Sequence, residues 1–186
     1  MWVAEAVSSD GRCGSDFDRD VVAAEHREGF FVGDVIADAQ LAATSPASFG
    51  GAVVAFMNPG GVRSDLTYAD SGGEGDGVVT YGEAFTTQPF GNSLVTMTMS
   101  AQQIKDVLEQ QFAGCRGQLP SATRLMIPSA GFKVRWDGAK ACDQRIHSVT
   151  LTRDGRTETL VDAGGKVLDA ARAEEHGRNP IRERVD

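Results

Sequence analysis

The spacing of hydrophobic and polar residues predicts a mixture of helices and strands. From Val32, apolar residues recur every three or four positions, which places them on one face of a helix. That face comprises Val32, Val35, Ile36, Ala39 and Ala43. Pro46 should end the helix, because the residue before a proline avoids the helical region. The apolar run that follows, bounded by glycines, then predicts a buried strand over 52–57.

Three shorter elements are predicted between residues 78 and 99. The segment 78–81 has the composition of a short strand or an entry segment, and 83–87 has room for one helical turn before a proline. From 94 to 99, valine and methionine alternate with leucine and threonine. This two-residue period predicts a strand with one drier face.

A capping box opens the second long helix. Ser100 is followed three residues later by Gln103, and the apolar spacing continues to Phe112, so we expect a helix over 101–112 with Gly114 as its stop. Further strands are predicted over 132–136, 146–152 and 157–161, the last two flanking an Asp-Gly turn. The predicted fold class is α+β, a mixed sheet packed by helices.

The loop Met57–Asp65 concentrates candidate binding groups. Its sequence, Met-Asn-Pro-Gly-Gly-Val-Arg-Ser-Asp, cannot continue a strand or a helix. It should present Asn58, the bare backbone amides of Gly60 and Gly61, and Arg63. Glycines let a ligand approach the main chain, and arginine offers a planar, permanent charge to a phosphate or carboxylate. The alternative is an ordinary turn with a surface arginine.

A second motif accompanies this loop. The segment 79–92 reads Val-Thr-Tyr-Gly-Glu-Ala-Phe-Thr-Thr-Gln-Pro-Phe-Gly-Asn. Its pairing with Asn-Pro-Gly-Gly-Val-Arg resembles the C-terminal, substrate-binding domain of the 5′-nucleotidase family, which also includes UDP-sugar hydrolases and cyclic-nucleotide phosphodiesterases. Gly33–Gln40 is similar to the first helix of that domain, and the resemblance runs from about Gly33 to Leu151.

The resemblance implies a substrate-binding set. Asn58, the Gly60 and Gly61 amides and Arg63 would meet the phosphate or ribose, Phe90 would stack on the base, and Asn92 would hydrogen-bond near it. The alternative for Phe90 is a core phenylalanine. Arg27 is a tentative addition, because the family places a phosphate-reaching basic residue near that position; a solvated arginine is the alternative.

The same resemblance implies hydrolysis at a centre of two divalent metals in a separate metallophosphoesterase domain. The three histidines, His26, His147 and His176, are isolated, and no Asp-x-His or Gly-Asn-His motif occurs. We therefore expect no catalytic residue, metal or other cofactor in this chain. We expect it to bind a nucleotide or nucleotide-sugar in nucleotide catabolism and to be inactive alone, with the metal domain encoded upstream or separately. The alternative is a non-enzymatic remnant or binding module with the same fold.

Composition limits the partners and suggests the boundaries. A net charge of −8 argues against binding a nucleic-acid polymer, and no stretch is long and apolar enough for a membrane span. The first ten residues predict no secretory signal, although the resembled family is typically secreted, periplasmic or attached to the cell envelope. We predict a poorly structured lead over 1–27, the domain over 28–162, and a polar tail over 163–186. The tail lacks the Gly-Gly-Asp-Gly-aromatic segment of the family, so the domain is expected to be truncated and the chain to be a fragment.

The cysteines leave one question open. Cys13, Cys115 and Cys142 form no Cys-x-x-Cys pair, which argues against a metal knuckle or a redox motif. Cys115 and Cys142 could pair in an oxidising compartment, or all three could be free.

Overall fold

The computed structural model describes residues 32–70, 72–121 and 124–168. These residues form three α-helices: α1 (Val32–Thr44), α2 (Tyr81–Thr87) and α3 (Ala101–Gln110). They also form five strands: β1 (Phe56–Met57), β2 (Ile127–Pro128), β3 (Phe132–Trp136), β4 (Ile146–Arg153) and β5 (Arg156–Val161). Helices combined with antiparallel sheets confirm the predicted α+β class. Arg27 and most of the predicted lead lie outside the described residues.

The larger sheet has the order β3-β4-β5 and is antiparallel throughout. Arg153 faces Arg156 across a two-residue turn formed by Asp154 and Gly155. Both turn residues have positive φ, 51° and 71°, as expected for a tight turn that matches the strand twist. The predicted hairpin is confirmed.

The hydrophobic core lies between α3 and this sheet. Its buried members are Leu108, Phe112, Cys115, Phe132, Ile146, Val149, Leu151 and Val161. Helix α3 is held at its start by the predicted capping box, in which the Gln103 amide donates to Ser100 Oγ (3.2 Å) and Gln103 Oε1 accepts from the Ser100 amide (2.7 Å). Phe56 joins β1 to the core through an edge-to-face contact with Phe132, with ring centroids 5.1 Å apart.

A buried glutamate ties α3 to the loop before β4. Glu109 is fully buried, and its carboxylate accepts from the backbone amides of Ile146 (2.8 Å) and Asp143 (3.1 Å). A buried charge is tolerated only when it is hydrogen-bonded in this way. The sequence analysis did not single out this residue, because its position on the apolar side of the helix is visible only once the loop is in place.

A disulfide closes the same region. Cys115 and Cys142 are bonded, with α-carbons 5.4 Å apart, which resolves the open question in favour of pairing. At the adjacent positions, Arg116 forms ion pairs with Asp143 and with Asp106 of α3 (2.9 Å). The hydrogen bond that Arg116 Nε donates to the Asp143 carboxylate raises the pKa of Arg116. The two cysteine sulfurs and Asp143 lie close enough to hold a metal, but sulfurs bonded to each other are not available as thiolate ligands.

Two early predictions need correction. In α1 the buried residues include Gly33, Ala37 and Thr44, whereas Ala39 and Ala43 are exposed. The small residues determine which face of α1 is buried, because a β-carbon at position 33 would overlap the Ile127 side chain of β2. The strand predicted over 52–57 is reduced to β1.

The loss of strand over 52–55 is explained by a contact with the residue that follows β2. Ala55 makes two hydrogen bonds to one residue, donating to Ser129 Oγ (3.0 Å) and accepting from the Ser129 amide (2.9 Å). The Ser129 hydroxyl therefore replaces the backbone acceptor that would extend the β1–β2 ladder to Ala55.

The strand predicted over 94–99 is also wrong, and of the two alternatives for 78–81 the entry segment is correct. Thr80 instead caps α2, accepting from the Glu83 amide (3.2 Å), so the helix begins at Tyr81 rather than at 83. Residues 94–99 form no strand, and Val95 and Met97 are 71% and 58% exposed. Alternation identifies two faces of an extended segment, but a strand also needs a partner for its backbone groups.

The chain continues to pack beyond β5. Val167 forms a bridge with Val161, the Leu168 amide donates to the Leu160 carbonyl (2.9 Å), and Lys105 Nζ of α3 donates to the Gly165 carbonyl (2.6 Å). The boundary predicted at 162 stays a prediction, but ordered contacts reach residue 168. None of the described helices combines the length and apolarity that crossing a membrane would require.

Candidate functional site

The loop after β1 is a single 3₁₀ turn, Pro59–Gly61, capped by Asn58. Asn58 Oδ1 accepts from the Gly60 amide (3.2 Å), and the Asn58 carbonyl accepts from the Gly61 amide (2.8 Å). The expectation of two bare amides is therefore wrong. An Asn-Pro-Gly sequence favours this outcome, since asparagine is a strong N-cap and proline fits the first helical position.

Arg63 carries the positive charge of the loop. It is exposed, and one Nη donates to the Gly60 carbonyl (3.1 Å), the single side-chain hydrogen bond that it makes among the described residues. A guanidinium has five N–H groups in a fixed fork. The bond to Gly60 orients the side chain over its own loop and leaves most of these donors to solvent or to an oxyanion.

Hydrogen bonds join this loop to the end of α2. The Arg63 amide donates to the Thr87 carbonyl (2.8 Å), and the Ser64 and Thr87 hydroxyls lie 3.3 Å apart. Thr87 is only 3% exposed. The two motifs recognised in the sequence are therefore neighbours in the fold.

A buried methionine adds a second link. Met57 Sδ lies 3.6 Å from Gln88 Nε2 and 3.5 Å from Gln40 Nε2, so glutamines of two other segments meet at its sulfur. Met57 is 4% exposed, and a β-carbon at Gly61 would approach its methyl group to 2.6 Å. The sequence analysis missed the positioning roles of Met57 and Thr87, because no local pattern separates them from ordinary core and helix-end residues.

Phe90, the residue predicted to stack on the base, lies two positions after Gln88. Phe90 is 46% exposed and its amide donates to the Gln88 carbonyl (2.9 Å), so it is not a core phenylalanine. Asn92 is exposed two residues later. The structure thus anchors the loop of Arg63 to the residues that immediately precede Phe90. The roles of Asn58, Arg63, Phe90 and Asn92 in binding remain predictions.

The glycine-rich loop between Asp70 and Gly77 does not resemble a phosphate cradle. The Asp70 carboxylate accepts from the amides of Gly72 (3.0 Å), Gly73 (2.5 Å) and Gly75 (3.2 Å). The hydrogen bond from the Gly73 amide is the main cause that lowers the pKa of Asp70; desolvation opposes it, and the Gly72 and Gly75 amides lower the pKa further. These amides are occupied by an anion of the protein itself.

Comparison with known proteins decides the family. The family model described as "5′-nucleotidase, C-terminal domain" matches residues 6–165. The chain belongs to this family. The match confirms the resemblance seen in the sequence and includes part of the predicted lead.

The relatives of this 5′-nucleotidase C-terminal domain are much longer proteins. The chain is similar to cell wall protein Lmo0130 of Listeria monocytogenes (30% identity, covering 74% of this chain and 16% of the relative) and to the trifunctional nucleotide phosphoesterase protein YfkN of Bacillus subtilis (37%, covering 42% and 5%). In structure it is similar to a 5′-nucleotidase precursor from Thermus thermophilus, with a TM-score of 0.53 and 25% identity, covering 69% of this chain and 22% of that one.

Proposed function

We propose that this chain is the nucleotide-binding domain of a 5′-nucleotidase-like phosphohydrolase that acts in nucleotide catabolism. In this proposal Arg63 binds a phosphate or nucleotide-sugar oxyanion and Phe90 stacks on the base. The observation that carries it is the hydrogen-bonded junction between the Arg63 loop and the segment before Phe90, within a domain of this family.

The two side chains are suited to bind different parts of a nucleotide. An exposed aromatic ring accepts any base and contributes about 1–3 kcal/mol per stacked base. An arginine fork gives a charge-assisted, directional contact to an oxyanion. Because the Gly60 and Gly61 amides are used within the turn, we assign them to shaping the loop rather than to direct phosphate contact.

Hydrolysis is proposed to need a second domain. The family resemblance places the two divalent metals in a metallophosphoesterase domain, and no ligand motif for them occurs in this sequence. We therefore propose that the chain alone does not release phosphate from AMP, UDP-glucose or a cyclic nucleotide, with or without added divalent metal. Phosphate release that scales with protein across preparations and disappears in Arg63→Ala would refute this.

A location outside the reducing cytosol fits the same proposal. The Cys115–Cys142 disulfide is of the kind that persists in oxidising compartments, and one relative is named a cell wall protein. Thiol counting on protein purified from its native source under alkylating conditions tests this. Three free thiols would contradict an oxidising location.

Binding is tested by titrating the folded chain with AMP and with adenosine, followed by NMR. One stacked face and one charged contact, less the cost of immobilising the ligand, give an expected Kd of about 1 mM for AMP. Arg63→Ala should weaken AMP more than adenosine, because only AMP carries the phosphate. Phe90→Ala should weaken both ligands.

Two matched variants control for general damage. Arg156→Ala removes an exposed arginine of β5, and Phe49→Ala removes a 66%-exposed phenylalanine outside both motifs. Both should bind like the parent. If the ligand-induced NMR chemical-shift changes are the same in Arg63→Ala and Phe90→Ala as in the parent, the site lies elsewhere and the assignment is refuted. If AMP does not bind at all, the second candidate, a binding module of the same fold that has lost its nucleotide, would replace the first.

A further inference from the structure

Three potential metal ligands meet at the disulfide. Within the part of the chain that the structure describes, the sulfurs of Cys115 and Cys142 and a carboxylate oxygen of Asp143 all lie within 4.8 Å of one another. A tetrahedral Zn²⁺ holds thiolate sulfur at about 2.3 Å and carboxylate oxygen at about 2.0–2.2 Å, so its ligand atoms are about 3.5–4 Å apart. The cluster is therefore small enough to surround a single ion once its two sulfurs are no longer bonded to each other.

We propose that reduction of the Cys115–Cys142 disulfide converts this cluster into a structural zinc site, with two thiolates and the Asp143 carboxylate as ligands and water in the fourth position. The disulfide takes up two electrons and two protons from a dithiol, which is itself oxidised to a disulfide. Zn²⁺ then displaces the two thiol protons as it binds. The disulfide and the zinc site exclude each other, so the redox state of the surroundings decides which of them the domain contains.

Contacts other than the disulfide keep the two cysteines close. Glu109 of α3 accepts from the Asp143 amide (3.1 Å), which holds the loop between β3 and β4 against the helix. Arg145 of the same loop donates to the Ala113 carbonyl (3.4 Å), just beyond the end of α3. On reduction the sulfurs have to separate by only about 2 Å to reach the spacing that they have around Zn²⁺. These contacts therefore leave the ligands arranged for a metal after the bond is broken.

Arg116 leaves one oxygen of Asp143 for the ion. Its Nε donates to Asp143 Oδ1, so Oδ2 can bind the metal while Oδ1 stays hydrogen-bonded, the usual arrangement for a ligating carboxylate. Two thiolates and one carboxylate carry three negative charges, which Zn²⁺ and the Arg116 guanidinium together balance. Thiolate ligands also favour zinc or cadmium over Mg²⁺ and Ca²⁺, which prefer oxygen.

The cluster is open to solvent on one side. Asp143 is exposed and Cys142 is half-buried, whereas Cys115 is fully buried. A thiolate of the dithiol therefore attacks the Cys142 sulfur and forms a mixed disulfide with it, while Cys115 leaves as the thiolate. The second thiol of the reagent then releases Cys142. Zn²⁺ enters from the same side, where the Asp143 carboxylate attracts it.

Titration of the reduced chain with Cd²⁺ tests the proposal, because a Cd²⁺–thiolate bond gives an ultraviolet charge-transfer band. The Cys13→Ala variant serves as the parent, since it lacks the third cysteine. Reduced with a phosphine, it should bind one Cd²⁺ per chain, and Zn²⁺ in excess should compete with it. The disulfide form should show no band. Zn²⁺ at about a hundredfold excess over its Kd should raise the thermal midpoint of the reduced chain by at least about 5 °C and leave the disulfide form unchanged.

Asp143→Ala and Asp106→Ala form a matched pair, since both aspartates pair with Arg116 and only Asp143 belongs to the cluster. Asp143→Ala should weaken Cd²⁺ binding by more than about tenfold, and Asp106→Ala should bind like the parent. If circular dichroism shows that the reduced chain is unfolded without metal, Zn²⁺ should restore the folded signal.

The proposal would be overturned by a reduced, folded chain that shows no Cd²⁺–thiolate band, or by a reduced chain that stays unfolded with Zn²⁺. Equal effects of Asp143→Ala and Asp106→Ala would also overturn it. The AMP titrations use the disulfide form, which cannot bind the metal, so the nucleotide site is tested independently.

Discussion

Removing the Cys115–Cys142 disulfide should destabilise the domain by about 3.5 kcal/mol. The two residues are 27 positions apart, and the bond restricts the unfolded chain by closing a loop of that length. The native state should change little, because Glu109 and the Arg116–Asp143 ion pair hold the same two segments together. The predicted effect is therefore mainly an effect on the unfolded state.

The double variant Cys115→Ala with Cys142→Ala isolates this contribution, and Cys13→Ala is the control. Alanine is chosen because Cys115 is fully buried and a small apolar residue leaves no unpaired polar group there. Thermal unfolding should show a midpoint lowered by roughly 10 °C in the double variant, and urea unfolding should show a midpoint at a lower urea concentration. Dithiothreitol should lower the midpoint of the parent similarly and leave the double variant unchanged.

The reasoning would be refuted by either of two results. A double variant that melts within about 2 °C of a parent with a verified disulfide would mean that the cross-link does not limit the unfolded chain as calculated. A parent with three free thiols after purification under oxidising conditions would mean that the bond does not form.

Three further predictions concern single features of the fold. Glu109→Gln should cost about 2–4 kcal/mol in urea unfolding, because an amide can accept from only one of the two buried N–H groups; a cost under about 0.5 kcal/mol would contradict this. The pKa of the Asp70 carboxylate should lie below its ordinary value of 3.8, so its support of the loop is present at neutral pH and is lost as pH falls through the lowered pKa. NMR of the Gly73 amide should report that titration and Asp70→Asn should abolish it, whereas a value at or above 3.8 would refute it. Relative to a chain that ends at Leu168, truncation after Val161 should cost about 2–3 kcal/mol through the lost bridge and hydrogen bonds; equal melts for the two shortened chains would contradict this.

Elements with a complete local signal were predictable from sequence. The α3 capping box and the Asp154-Gly155 turn each depend on residues within a few positions of one another. For such elements the side chain, the backbone conformation and the hydrogen-bond partner are specified together. The family could also be recognised, because its two motifs are contiguous in sequence. The predicted end of α3 was wrong, because the helix stops at Gln110, four residues before Gly114.

Elements whose partners are distant in sequence were not predictable. The apolar run before Met57 predicted a longer strand, but Ser129 replaces the next partner with its side chain. The face of α1 depended on Gly33 approaching β2, which pairs with β1 far along the chain.

Some residues of the candidate site could likewise be predicted from the sequence, and others could not. Arg63 and Phe90 were visible as residue types with a known use. Thr87 and Met57, which join their segments, became evident only from their contacts in the fold. The occupied Gly60 amide could have been anticipated, since the residue two positions before it is an asparagine that caps its own turn.

The most direct test of the central claim is the set of intermolecular NOEs between AMP and the labelled chain. If Phe90 stacks on the base while Arg63 holds the phosphate, the adenine H2 and H8 protons should give NOEs to the Phe90 ring. The Arg63 side-chain N–H resonances should shift with AMP and not with adenosine. NOEs from adenine to a different aromatic residue, or an Arg63 that responds to neither ligand, would contradict the account.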